Sequence, residues 1–297
     1  MINKENGNEE TLKQPALVLI ATPIGNLEDI SLRALREIRN ADLVCCEDTR
    51  RTGKLFELLD IQPRPDLFVL NEHTELGKSS EIIDRILKGQ RIAVVSDAGM
   101  PGISDPGEHI VRVAIEQEVS IEVIPGPSAG LTALVASGFP TNRYVFQGFL
   151  PRKGRARDHR LIEISKEEKT TVVFESGNRL QKTIDDLLKV CGSDRHVCIA
   201  KELTKIHEEF IRGTLQELCK TMPSRSTKGE YVLVISGFHE EKKVDDQQLL
   251  TSIREFRDRG KSNKDAVRET AKKYGISKRL VYGLSIEKPN INKSHNE

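Results

Sequence analysis

At 297 residues, 37% hydrophobic and 31% charged with a net charge of +1, the chain can enclose two sizeable cores and is too apolar to be disordered throughout. Four Tyr, nine Phe and no Trp exclude an extended aromatic platform for stacking nucleic-acid bases. No apolar run reaches the roughly 18 residues of a membrane-spanning helix, and the polar stretch 1–14 lacks the apolar segment of a signal peptide, so it is expected to be a flexible tail on a cytoplasmic protein.

The run 16–21 (ALVLIA) has the length of a buried strand and opens into Thr22-Pro23-Ile24-Gly25-Asn26-Leu27. Ser31 then caps a helix that places Leu32, Leu35 and Ile38 on one side. A strand at 42–46 ends in Glu47-Asp48-Thr49-Arg50-Arg51, ahead of a helix near 54–59. Strand 67–70, helix 80–87 and strand 91–96 follow, and the last breaks at Asp97 into a loop carrying Gly99, Met100, Pro101, Gly102, Asp105, Pro106 and Gly107. Helix 108–116 leads to strand 121–124, closed by Pro125-Gly126-Pro127-Ser128-Ala129-Gly130. This alternation predicts an α/β domain over 15–129 with a mostly parallel sheet covered on both faces.

A second series begins at strand 144–149: strand 170–174, helix 179–190, strands 196–200 and 209–213, helix 215–221 and strand 231–235. Consecutive strands with short connections predict a second α/β domain, over 130–238, with a mixed sheet. Residues 247–288 read as an all-helical module with a helix-turn-helix outline and Ser277 as a cap. Ten Lys/Arg against four Asp/Glu over 252–283 fit either phosphate contact, through Lys278 and Arg279 among others, or a solvated basic bundle. A second basic cluster, Arg152, Lys153, Arg155, Arg157 and Arg160, would attract a polyanion if it borders a cleft.

Five cysteines (Cys45, Cys46, Cys191, Cys198, Cys219) show no C-x-x-C spacing and the histidines no H-E-x-x-H, so reduced thiols and no metal are expected. The three Gly/Pro-rich loops contain neither G-x-G-x-x-G nor the P-loop pattern. Singly, each reads as an ordinary strand-to-helix turn. Together they suit a nucleoside-like ligand without phosphates, a description that S-adenosylmethionine meets. Transfer of its methyl to a ribose hydroxyl, which the family resemblance given next implies, needs a collinear arrangement and a proton acceptor, for which Glu47, Asp48, Lys201 and Glu202 are candidates, with Arg50 and Arg51 on neighbouring phosphates. The same residues equally make a salt-bridge network at strand ends.

TPIGNLEDIS, CEDTR, VVSDAG with PGISDPG, PGPSA, GF-LP, ELTK-HEE and KGEYVLVISG occur in this order. Over about Leu17 to Gly237 they resemble the ribosomal RNA small subunit methyltransferase I family of the tetrapyrrole methylase superfamily, and the helical module is similar to that family's C-terminal domain. The resemblance implies two α/β domains of the tetrapyrrole methylase type with a cofactor cleft between them, usually in a homodimer. It implies S-adenosylmethionine-dependent 2′-O-methylation of a cytidine ribose in 16S rRNA, near the decoding region, with free rRNA or the assembled small ribosomal subunit as partner. Cofactor contacts would then fall on Pro23, Gly25, Asp97, Gly99, Met100, Ser128, Ala129 and Glu175, and RNA contacts on Arg50, Arg51, Arg152, Lys153, Arg155, Arg157, Lys278 and Arg279. The sequence departs from the family at Met100, often Thr, and at Glu175-Ser176-Gly177-Asn178-Arg179, more usually E-S-P-H-R. Two other readings stand beside this one: a methylase of a tetrapyrrole-like small molecule, which has no use for the basic segments, and a non-enzymatic nucleic-acid-binding regulator.

Overall fold

The computed structural model describes residues 14–71, 73–224, 228–238 and 245–286. The tail expected at 1–14 lies outside them but for Gln14. The chain divides into a unit that ends at Phe238 and a second that begins at His239.

The first unit holds two five-stranded sheets. In one, β1 (Ala16–Ile20), β2 (Leu43–Cys46), β3 (Asp66–Val69), β4 (Arg91–Val95) and β5 (Ile121–Ile124) are parallel in the order β3-β2-β4-β1-β5. Strands β1, β2 and β4 are buried along their whole length because both faces are covered. Successive side chains point to opposite faces: Ala16, Val18 and Ile20 join Ile38 and Phe56 in one core, while Leu17 and Leu19 join Ile82, Ile83 and Ile110 in the other. These partners come from α1 (Leu32–Asn40) and α2 (Thr49–Leu58) on one side and from α3 (Glu75–Leu87) and α4 (Glu108–Glu116) on the other. Cys45 and Cys46 split between the two cores, and burial pushes the Cys45 thiol up to about 12.

The second sheet is mixed, in the order β6-β7-β10-β8-β9, from β6 (Tyr144–Phe149), β7 (Thr170–Ser176), β8 (His196–Lys201), β9 (Glu209–Thr214) and β10 (Glu230–Ile235). Only β6 and β7 run parallel; the β7–β10, β10–β8 and β8–β9 pairs are antiparallel. Helices α6 (Arg155–Lys166), α7 (Gly177–Cys191) and α8 (Leu215–Thr221) cover one face, through Leu161, Ile164, Leu180, Ile184 and Leu218. On the other face, Ala133 and Leu134 of α5 (Ala129–Ser137) pack with Val172, Ala200 and Val234. Ile24, from the loop after β1, belongs to this same cluster, so the first sheet's loops are anchored in the second sheet's core.

Three elements differ from the sequence reading. Helix α2 starts at Thr49 rather than near residue 54, because the Asp48 carboxylate accepts the Arg50 N–H at 2.8 Å and caps it. Helix α3 begins at Glu75 rather than 80. Helix α6 occupies what reads in the sequence as a run of charge.

In the second unit α9 (Asp246–Asp258), α10 (Asn263–Tyr274) and α11 (Lys278–Ile286) share a small core of Ile253, Ala266, Val267, Ala271 and Val281. Ser262 caps α10, Gly275 ends it at φ 69°, and the Ser277 hydroxyl accepts the Leu280 N–H at 3.3 Å.

Candidate active site

In an open parallel sheet the loops at the carboxyl ends of the strands form the crevice in which ligands bind. Here the loops after β1 and β4 are bonded to each other there. The Thr22 N–H donates to the Gly99 carbonyl at 2.9 Å, the Gly99 N–H returns to the Thr22 carbonyl at 3.1 Å, and the Thr22 hydroxyl donates to the Ser96 carbonyl at 3.1 Å. Gly99 makes this bridge at φ 85°, which favours glycine. The far end of the β4 loop is pinned by buried Glu75, whose Oε1 accepts the N–H groups of Gly107 and Ile110, both at 3.0 Å. That bond also supplies the cap of α4.

Between these loops and the second sheet lies a cavity of about 420 Å³. Its apolar wall includes Ile24, Phe174, Leu203 and Val232, while Glu47, Asp97 and Asp105 bring carboxylates from the first sheet's loops and Arg51 a single guanidinium. Arg51 Nη1 lies 3.0 Å from Asp97 Oδ2. The other oxygen, Asp97 Oδ1, is buried with no hydrogen-bond partner among the described residues. A buried acceptor without a donor is costly unless a ligand supplies one. Burial raises Glu47, partly offset by the Asp97 N–H that it accepts at 3.2 Å. Asp105 is pushed up to about 7, first by burial and then by the charges of Glu47 and Asp97.

Residues 16–219 match the tetrapyrrole (corrin/porphyrin) methylases. The chain belongs to that family. Two similar relatives are each called ribosomal RNA small subunit methyltransferase I. That of Halalkalibacterium halodurans is 40% identical over 275 residues, 90% of this chain and 93% of the relative. That of Thermotoga maritima is 42% identical over 221 residues, 74% of this chain and 98% of the relative. Among solved structures, a cobalt precorrin-4 methyltransferase of cobalamin biosynthesis aligns with a TM-score of 0.55 at 17% identity, covering 74% of this chain and 94% of that one. The uroporphyrin-III C-methyltransferase of Thermus thermophilus, in complex with S-adenosyl homocysteine, aligns with a TM-score of 0.50 at 19% identity, over 74% and 97% of the two chains.

The methylase fold brings Glu47, Arg51, Asp97, Gly99, Met100, Ser128, Ala129 and Glu175 to one cavity, from positions up to 128 residues apart in sequence. Pro23 and Gly25 are not in its lining. Gly25 instead lets two loops meet, since a Cβ there would lie 2.5 Å from Lys205 Cγ and 2.8 Å from the Leu203 carbonyl oxygen. Glu175 borders the cavity, but its carboxylate is engaged inside the fold, by the Ser176 N–H at 2.9 Å and the Thr183 hydroxyl at 2.6 Å.

The structure places several of the expected residues outside the cavity. Asp48 is a helix cap outside the lining, and the Arg50 guanidinium beside it holds its carboxyl at about 2, too weak a base to draw a proton from a hydroxyl. Glu202 accepts the Glu230 N–H at 2.9 Å and Lys205 at 3.2 Å, contacts that hold it below the usual carboxylate range, and neither it nor Lys201 lines the cavity. Arg157 is 3% exposed and bonds Asp186, Thr183 and the Pro151 carbonyl, so it braces α6 against α7 and cannot reach RNA. Arg152, Lys153 and Arg155 are exposed, as are Lys278 and Arg279. Sequence reasoning passed over Asp105, Phe149, Phe174 and Tyr231, all in the lining. For Asp105 the signal was present in PGISDPG; for the others there was none beyond strand pattern.

Proposed function

We propose that this methylase transfers the methyl group of S-adenosylmethionine to the 2′-hydroxyl of a cytidine in small-subunit rRNA, in the cytoplasm. The observation that carries this reading is likeness over nine-tenths of the chain to relatives named for small-subunit rRNA, well beyond the shared methylase fold. The cavity suits the donor. Its size is in the range of small-ligand pockets, its carboxylates favour a cationic sulfonium and ammonium, and the partnerless Asp97 Oδ1 is placed for a hydroxyl or amine donor. Asp97, Gly99, Met100, Ser128 and Ala129 would hold it, with Pro23 and Gly25 shaping the loop behind. When bound, the donor supplies an activated methyl carbon. The protein's part is to keep the ribose oxygen in line with that carbon, exclude water and receive a proton.

Arg50, Arg152, Lys153, Arg155, Lys278 and Arg279 are exposed cations for phosphate contact, and Arg51 closes on Asp97 at the cavity wall. A second copy of the chain would cover Leu131 and Val135 of α5 with Tyr144 and Phe146 of β6, all exposed; a Cβ at Gly130 would lie 3.7 Å from the Phe146 ring, so helix and strand form one apolar patch. Light scattering of wild type and Val135→Glu tests this dimer. The deciding experiment for the reaction is mass spectrometry of rRNA nucleosides from cells with and without the protein. A 2′-O-methylated cytidine is expected to disappear with the gene, and an unchanged sugar-methylation pattern overturns the reading.

A further inference from the structure

We propose that Asp105 accepts the proton of the ribose hydroxyl during methyl transfer, an inference that rests on the function proposed above. The loop after β4 turns back at Gly107, and its anchorage on Glu75 fixes Asp105 two residues earlier, half-buried in the cavity wall. The charged groups around it come from three elements: Glu47 from the end of β2, Arg51 from α2 and Asp97 from the end of β4. Across the cavity stand Glu175 and Glu230 of the second sheet.

Each of these other carboxylates has a partner in the fold. Glu47 accepts the Asp97 N–H, Asp97 holds Arg51 at 3.0 Å through Oδ2 and leaves Oδ1 for the donor, Glu175 takes Ser176 and Thr183, and Glu230 holds Lys205 at 2.8 Å. Among the described residues no hydrogen bond or ion pair reaches the carboxylate of Asp105. Burial and its two acidic neighbours push it up to about 7, where a carboxylate is about half ionised at neutral pH and far more basic than usual. The same loop meets the end of β6, which brings an aromatic ring to the cavity. Ser104 Oγ lies 3.1 Å from where a Cβ would stand on Gly148, and the next residue, Phe149, lines the cavity with an exposed face on which a base taken out of its stack can lie.

The step balances. The ribose oxygen forms a bond to the methyl carbon as the carbon–sulfur bond breaks. The electron pair of that bond stays on sulfur, which becomes a neutral thioether, and the hydroxyl proton passes to an Asp105 oxygen and later to solvent.

The test uses the full-length protein as wild type, Asp105→Asn and Asp105→Glu. Three quantities are measured: calorimetric affinity for S-adenosyl homocysteine, single-turnover methylation of small ribosomal subunits against pH, and carbon-13 NMR titration of labelled aspartate carboxyls. Asp105→Asn is expected to bind the nucleoside within threefold of wild type and to methylate roughly 10²–10⁴-fold more slowly. It should lose both the rising limb of the rate profile near neutrality and one carboxyl resonance that titrates there, whereas Asp105→Glu keeps the limb. Nucleoside affinity that falls in step with rate would make Asp105 a cofactor contact and overturn the proposal. A rate within threefold of wild type, or no aspartate resonance titrating above the ordinary range, overturns it equally. Wild-type protein that labels no ribose sinks the reading and this inference together, while an active wild type with an indifferent Asp105→Asn sinks the inference alone.

Discussion

The three carboxylates that the first sheet's loops bring to the cavity differ in partners more than in kind. A carboxyl raised in the folded state binds more protons there than in the unfolded chain, so Asp105 makes folding less favourable as pH rises from the unfolded value toward about 7. Asp105→Asn is therefore expected to raise the thermal midpoint above wild type at pH 8, by roughly 2–4 °C, and to leave it nearly unchanged at about pH 3, below both values. Calorimetry that finds no pH-dependent difference would place the group in water. The two basic residues Arg155 and Arg157 separate in the same manner, although sequence reads them alike. Arg157→Met removes the guanidinium's bonds to Asp186 and Thr183, which keep Lys189 and Glu175 as partners, and should cost about 1.5–3 kcal/mol of stability with RNA affinity per folded molecule unchanged. Arg155→Ala, on an exposed side chain, should leave the denaturation midpoint within error and weaken subunit binding, with a shallower salt dependence.

At the scale of elements, the loop after β4 depends on one carboxylate outside it. Glu75→Ala strips two buried N–H groups, at Gly107 and Ile110, of their acceptor, for a cost of about 2–4 kcal/mol. Glu75→Gln keeps an acceptor oxygen and should restore most of the stability. If the loop holds the cofactor, nucleoside affinity will fall with Glu75→Ala and recover with Glu75→Gln; affinity indifferent to both detaches the loop from the site. Nothing in the sequence joins Glu75 to Gly107, since the bond depends on α3 and α4 lying side by side. Strands β1, β4 and β5, by contrast, are legible within a residue because apolar runs bounded by Gly and Pro have few other folds available to them. Helix α6 is not, because RARDHRLIEISK shows only Leu161 and Ile164 on its apolar face and its third buried contact is an arginine. The site divides along the same line. Its glycine loops are local and could be read, whereas the acidity of Asp105 arises from Glu47 and Asp97, which reach it only through the β2–β4 pairing.

For the whole molecule, the question is what the helical unit adds to the methylase unit. Each has its own core: four apolar clusters lie before residue 238, and a separate one joins α9, α10 and α11. The match to the Thermotoga maritima relative takes in 98% of that protein and 74% of this chain, so about a quarter of this chain lies outside it. A chain ending at residue 244 is therefore expected to fold, with nucleoside affinity within twofold of the full protein. Its rate at saturating small subunits should also be nearly intact, because every residue proposed for the cavity is retained. Truncation removes the ten Lys/Arg and four Asp/Glu over 252–283. If several of these cations touch phosphate, KM for the subunit rises at least tenfold at moderate salt, and the slope of log affinity against log salt becomes shallower by about one for each phosphate no longer neutralised. Rates measured at two salt concentrations decide between the two readings of the module. A KM unchanged by truncation at both would mean a solvated basic bundle, and a fall in rate at saturation would mean that the helices help to orient the reacting ribose as well as bind RNA.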